Sequence, residues 1–275
     1  MLCGYSVIRF QWPEISRTGK VGTLLNTVLR VAIPTILVTI AMQLWARTLE
    51  VKPLLLISNW FDAREYHVAY YYFAEIYMQL LLVIAALLSI PAVREQLRKR
   101  PMMSSTALIV LAMAVSWLVE QVWDTNYLYH RTPIWYLWTV GAGMLMASAR
   151  DLQSRVAAMA IVTVAVVLHH GFTSASDYIV GASALLLFWP EITVPSTAKT
   201  IVAEIAGSSM FMYLSHFQVK SLVIRLFHGP MPWLALFLAI GFGIVFSRVY
   251  NLIEGKIRAF ARTRTYGGAS IERTP

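Results

Sequence analysis

Apolar residues in this chain come in long unbroken runs, and neither a two-residue nor a short amphipathic period dominates. A transmembrane helix needs about 20 mostly apolar residues. Eight stretches approach or meet that length: about 25–46, 68–93, 105–123, 134–149, 156–172, 178–192, 201–227 and 233–253, the fourth and sixth being the shortest. The second opens on Tyr70, Tyr71, Tyr72 and Phe73, as expected where a helix crosses a membrane–water interface. Most prolines fall between the runs, where a missing N–H costs least. Pro34 lies inside the first run and predicts a kink. The pattern therefore predicts an all-α polytopic transmembrane bundle of about eight spans, with no internal repeat.

Both ends of the chain depart from this pattern. MLCGYSVIRF is apolar but too short to span, and RFQWPEISRTGK after it reads as a cytoplasmic loop. A signal peptide would show a basic start, a longer apolar stretch and a small-residue cleavage site. The segment reads instead as the inner end of a helix arriving from outside. From about Arg262 the chain turns polar and is expected to be a disordered cytoplasmic tail. The expected division is a membrane domain over 1–261 and a tail over 262–275.

Composition narrows the function classes. Of the 275 residues 58% are hydrophobic and 13% charged, against about 25% charged in soluble domains. A soluble enzyme and a disordered chain are excluded on that ground. One cysteine, Cys3, excludes an intrachain disulfide. The net charge of +9 comes from 23 basic and 14 acidic residues. With the loop after the stub placed inside, 17 basic residues fall on the cytoplasmic side and 6 outside, which accounts for all 23. The basic balance thus marks a cytoplasmic face and both termini inside. It does not point to nucleic acid.

Ionisable residues within spans are costly and serve as functional candidates. They are Arg30, Glu75, Glu120, Glu204 and His216. Arg30 either snorkels to the inner interface or meets a ligand. Glu75 shares a helix face with Gln79, and a structural hydrogen bond stands beside a role in chemistry. Five histidines (His67, His130, His169, His170, His228) fall at the outer side. Adjacent His169 and His170 are expected to point different ways on a helix, so the spacing argues against a metal site. In the seventh run, Ser209, Tyr213, His216 and Lys220 follow i, i+4, i+7, i+11 and line one stripe. That stripe is expected to face the bundle interior or a wet cavity. It is either catalytic, with His216 as base, or a polar helix–helix seam.

GSSMFMYLSHFQV (207–219) resembles the C-terminal "G..S..iYLlH.pv" helix of the acyltransferase 3 family of integral membrane acyltransferases. YNLIEGKI (250–257) is similar to that family's "y..iE.p" close, with Gly255 and Lys256 where proline is common. LCGYSVIRF resembles the inner end of the family's second helix, "lSGyli", with Cys3 in place of serine. TLLNTVLRVAIP resembles its "f..RR..Ri.P" segment, but Arg30 stands alone and Thr27 occupies the place of a second arginine. The first helix and most of the second, including the histidine proposed as catalytic in the family, are expected to be missing.

The resemblance implies transfer of an acyl group, acetyl in many members, from acyl-CoA to a hydroxyl of a carbohydrate or lipid-linked acceptor, in a bacterial inner membrane. No bound cofactor is implied, and the partners are acyl-CoA, acceptor and membrane lipids. Under it His216 is the candidate catalytic group. Ser209, Tyr213 and Glu75 line an acceptor or acyl path, Arg30 binds the donor, and Glu254 is structural. A catalytically inactive or truncated protein of the same fold and a transporter remain as rivals.

Overall fold

The computed structural model describes residues 1–61, 71–122 and 131–267, with side chains to residue 257. No strand occurs among the described residues. All eight apolar runs form helices: α3 (Gly22–Ala46), α5 (Tyr72–Ser89), α7 (Pro101–Val122), α8 (Pro133–Ser148), α9 (Leu152–His170), α10 (Ser174–Phe188), α11 (Ser196–Phe227) and α12 (Pro232–Gly267). Of these, α3, α5, α7, α9 and α12 are long and apolar enough to cross a membrane, and α10 is a shorter apolar helix. The shorter pieces are α1 (Leu2–Ser6), α2 (Trp12–Thr18), α4 (Val51–Leu54) and α6 (Pro91–Lys99).

Prolines set many of the starts. Pro91, Pro101, Pro133 and Pro232 each open a helix, where the fixed φ suits the first turn and the missing N–H was unpaired anyway. Pro34 is buried inside α3, which runs through it as one helix. Proline there removes the bond to the Arg30 carbonyl. One step on, the Thr35 hydroxyl donates to the Val31 carbonyl at 2.7 Å.

The segment expected to be a loop after the N-terminal stub is helical. A π-turn over Val7–Gln11 joins α1 to α2, and Gly19 in the left-handed region (φ 70°) ends the run. Pro13 lies in the first turn of α2, a position where proline favours a helix start. At the other end α12 continues to Gly267, past the point where the tail was expected to begin.

The chain divides into two units, Met1–Ile192 and Thr193–Pro275. In the first, α8 is central. Trp138, Val140, Ala142 and Leu145 are fully buried. One side of α8 joins Val7, Ile15, Leu24, Leu81 and Ile84 in a core, and the other joins Ile109, Ala158, Val162 and Val166. Glycine permits these close approaches: a Cβ on Gly4 would land on the Val140 carbonyl, and one on Gly143 on the Met1 carbonyl. Small residues bring helix backbones together in membranes, where packing replaces the hydrophobic drive. In the second unit α11 packs on α12 through Phe211, whose ring meets Phe246 and Tyr250 at 5.1 and 5.2 Å.

Candidate functional site

A cavity of about 570 Å³ in the first unit lies at one end of the helices. Four arginines converge on it from four separate segments. Arg9 comes from the π-turn, Arg98 from α6, Arg150 from the turn between α8 and α9, and Arg155 from the first turns of α9. Tyr5, Ile8, Trp12, Leu97 and Met146 supply an aromatic and apolar wall.

Local chemistry holds these cations in place. Asp151 caps α9: its carboxylate accepts from the Ser154 backbone N–H at 2.8 Å, and the Ser154 hydroxyl accepts from the Asp151 N–H at 3.1 Å. This reciprocal cap satisfies two otherwise orphaned donors and fixes the turn carrying Arg150 and Arg155. The Ser154 N–H bond holds the Asp151 carboxyl below its usual range. Arg98 makes a two-pronged contact with Glu95 at 2.8 and 3.0 Å, and Lys99 approaches the same carboxylate at 3.1 Å. Those hydrogen bonds lower the Glu95 pKa to about 2. Arg9 meets Glu191 at 3.4 Å, with side chains 58% and 83% exposed. Exposed pairs contribute little, roughly 0–1 kcal/mol, so an anion can displace them at small cost. Among the described residues, the side chains of Arg150 and Arg155 have no ion-pair partner.

Four guanidinium groups against one lining carboxylate make this a strongly positive cavity. Guanidinium binds phosphate through paired hydrogen bonds. The sequence counted all four arginines as face markers and did not show that they converge, because they are up to 146 residues apart along the chain (155 − 9).

Arg30 is exposed on α3 and is not part of this lining. Thr27, in the place of the second arginine of the resemblance, accepts a hydrogen bond from the Gln11 side chain at 3.0 Å and so ties α3 to the N-terminal helix.

Glu75 is 1% exposed and its bonds are structural in pattern. One oxygen accepts from the Ser58 hydroxyl at 2.6 Å, the other from the Asn59 backbone N–H at 2.8 Å. Gln79, one turn on, donates to the Leu56 carbonyl and the Asn59 side chain at 2.9 Å each. Its oxygen accepts from Asn59 and from the Trp60 indole at 3.0 and 3.1 Å. Asn59 also donates to the Arg131 carbonyl just before α8 at 3.0 Å. The shared Glu75–Gln79 face thus knots the loop before α5 to the start of α8.

In the second unit the α11 stripe lies beside the packed seam. Ser209 and Lys220 are exposed, and Tyr213 and His216 are half-buried. The buried hydroxyls are Ser208 and Ser215, one residue earlier in each case, together with Phe211. The face packed on α12 thus lies about 100° from the stripe. His216 Nδ1 contacts the Tyr213 carbonyl oxygen, and its ring lies 4.0 Å from that of Phe217. A carbonyl only accepts, so Nδ1 is the donor in this contact. Glu204 pairs with Arg248 across α11 and α12 at 2.8 Å, and Glu254 is half-buried on α12.

His169 and His170 correct an expectation. Both rings lie against the same two indoles: His169 is 3.9 Å from Trp135 and 5.1 Å from Trp138, and His170 is 6.1 and 6.0 Å from them. Neighbours on a helix are about 100° apart, close enough for two flexible rings to converge at a helix end. His67 and His130 lie outside the described residues.

Comparison with curated proteins and with solved structures finds no match. The comparison with protein families does: residues 1–251, nearly the whole of this helical membrane chain, match the acyltransferase domain of the acyltransferase 3 family, and the chain belongs to that family.

Proposed function

We propose that the protein moves an acyl group from acyl-CoA, taken up at the cytoplasmic face of a bacterial inner membrane, to a hydroxyl of a carbohydrate or lipid-linked acceptor. The observation that carries this reading is the arginine-lined cavity. A donor rich in phosphate suits four guanidinium groups, and the aromatic and apolar wall suits the adenine and the pantetheine arm. In this reading Arg9, Arg98, Arg150 and Arg155 take the donor role assigned from sequence to Arg30. The orientation follows from the excess of basic residues on that side.

The reaction needs a base for the acceptor hydroxyl, and His216 is the candidate for that role. The hydroxyl oxygen attacks the thioester carbonyl, the C–O bond forms and the C–S bond breaks. The base takes the hydroxyl proton and returns it to the departing thiolate, leaving ester and free CoA. Ser209 and Tyr213 flank the path, and Glu254 is structural.

The test is transfer of labelled acetyl from acetyl-CoA to hydroxylated acceptors by the full chain in lipid nanodiscs. Arg150→Ala with Arg155→Ala should raise the Kd for CoA about tenfold or more, because charge-assisted hydrogen bonds contribute about 1.5–3 kcal/mol each. Wild-type protein that neither binds CoA nor transfers label would refute the reading. Transfer that survives His216→Ala unchanged removes only the role of His216.

A further inference from the structure

Arg30 lies outside the arginine cavity and on a different surface. On α3 the residues Asn26, Leu29, Arg30, Ile33 and Leu37 are all exposed. They follow i, i+3, i+4, i+7 and i+11, which is one continuous helix face. The opposite face carries Leu24 and Val28, which belong to the core that includes Leu81, Ile84 and Leu88 of α5. Because α3 is long and apolar enough to cross a membrane, its exposed face is the one that meets lipid. Arg30 comes eight residues after Gly22 (30 − 22), roughly 12 Å along the helix. A guanidinium on a lipid-facing surface near a helix end turns its tip toward the headgroup layer.

The turn before α3 presents two more cations at the same end. Arg17 lies in the last turn of α2 and Lys20 follows Gly19, and both are exposed. Packing fixes this turn. Ile15 of α2 and Leu97 of α6 are buried in the same core as Leu24. Arg94 of α6 donates to the Leu88 and Ser89 carbonyls at 2.8 and 2.9 Å. Its guanidinium also lies against Gly19, where an added Cβ would approach it to 3.4 Å. Arg94 thus joins the end of α5 to the turn that carries Arg17 and Lys20. Among the described residues, Arg17, Lys20 and Arg30 have no ion-pair partner, and the neighbouring carboxylate of Glu14 pairs with none of them.

We propose that Arg30, Asn26 and Lys20, with Arg17 beside them, hold the headgroup of an anionic phospholipid of the phosphatidylglycerol type, its chains lying along Leu29, Ile33 and Leu37. Charge complementarity selects this occupant. Guanidinium and ammonium groups pair with the phosphodiester, and the Asn26 amide can donate to it or to a headgroup hydroxyl. The same cations repel the quaternary ammonium of a choline headgroup. Each basic residue near an anionic headgroup layer gives about fivefold in affinity. The apolar face below Arg30 favours a lipid over a free phosphate, because it offers chain contact. The lipid is bound and not reacted, so the inference does not rest on the acyltransferase reading.

The test is native mass spectrometry of the full chain released from micelles holding equimolar phosphatidylglycerol and phosphatidylcholine with the same chains. The wild type should retain phosphatidylglycerol in preference by about tenfold or more. Arg30→Gln with Lys20→Gln should abolish the preference, and Arg30→Lys, which keeps the charge, should retain most of it. Arg150→Ala with Arg155→Ala should leave it unchanged, which separates this surface from the arginine cavity. Glycerophosphoglycerol, the same headgroup without chains, should bind about tenfold or more weakly than the lipid. All substituted residues are exposed or at the cavity rim, and unchanged thermal unfolding is the control for folding. Equal retention of the two lipids by wild type, or a preference that survives Arg30→Gln with Lys20→Gln, would overturn the proposal. So would a preference lost only with Arg150→Ala and Arg155→Ala, or glycerophosphoglycerol binding as well as the lipid.

Discussion

The contact between α1 and α8 supports a quantitative prediction. Replacing Gly4 by alanine puts a methyl group on the Val140 carbonyl oxygen, with the carbonyl carbon 2.8 Å away and the Met144 nitrogen 3.0 Å away. All three are backbone atoms, so no rotamer change relieves the overlap. Nor can α8 retreat. On its far side Gly141 already meets Ile109, where an added Cβ would approach to 2.9 Å, and Ala142 and Leu145 are fully buried. The helices must part by on the order of 1 Å, at an overpacking cost of about 2–4 kcal/mol when backbone resists. Alanine regains about 1 kcal/mol of helix propensity. The net is a loss of about 1–3 kcal/mol, or a fall in Tm of roughly 4–8 °C for a unit of this size at the middle of that range. Because α1 leads into the turn carrying Arg9, CoA affinity should fall as well. The assay is thermal unfolding in nanodiscs, with Gly181→Ala in α10 alongside. A Cβ on Gly181 meets nothing within 4 Å, so that variant should match or exceed wild type. Gly4→Ala as stable as wild type, or Gly181→Ala equally damaging, would refute the argument.

Other outcomes follow from the same geometry. Glu75→Ala strips the acceptors from Ser58 and Asn59 and should cost about 3 kcal/mol through buried unsatisfied donors, read as a lower thermal unfolding temperature in nanodiscs; Glu75→Gln, which keeps one acceptor, should cost less. Asp151→Ala should cost about 1 kcal/mol and weaken CoA binding through the loosened turn, as calorimetry would show. The Glu95 carboxyl, lowered from 4.5 to about 2 by Arg98 and Lys99, makes a contribution present above pH 4.5 that fades as pH falls toward 2. The group is fully exposed, so salt should screen the effect. In a carboxyl NMR titration, Arg98→Ala should move the midpoint back up.

Much of the fold is legible because its punctuation is chemical. Apolar runs and helix-opening prolines locate the starts of α3, α5 and α7 to α12 within a few residues. The misreadings have physical causes. WPEISRT reads as part of a loop in the sequence, but proline is a good first-turn residue and the segment is helical. On α11 the period is legible in the sequence, whereas the face that packs on α12, with Ser208, Phe211 and Ser215, is set by tertiary contacts with Phe246 and Tyr250. Glu75 and Gln79 were legible as a shared face, whereas their partners at Ser58, Asn59 and Arg131 depend on tertiary structure. The arginine cavity was least legible, since each arginine alone looks like an ordinary cytoplasmic-face residue.

Helix length bears on the membrane itself. At 15 residues, α10 spans roughly 22 Å, well short of a hydrocarbon layer of about 30 Å. Tyr178, Leu185 and Trp189 are exposed, and a membrane crossing by so short a helix would require the lipid beside it to compress to cover them. Hydrophobic mismatch of this sign draws the headgroups of both leaflets inward. Leu186, Leu187, Pro190 and Glu191 at the end of α10 line the arginine cavity. Local thinning would therefore bring water and a soluble, charged donor up to its mouth and shorten the dry distance the acyl group has to cross. Transfer rate should then depend on bilayer thickness, with thin-chain lipids faster than thick ones.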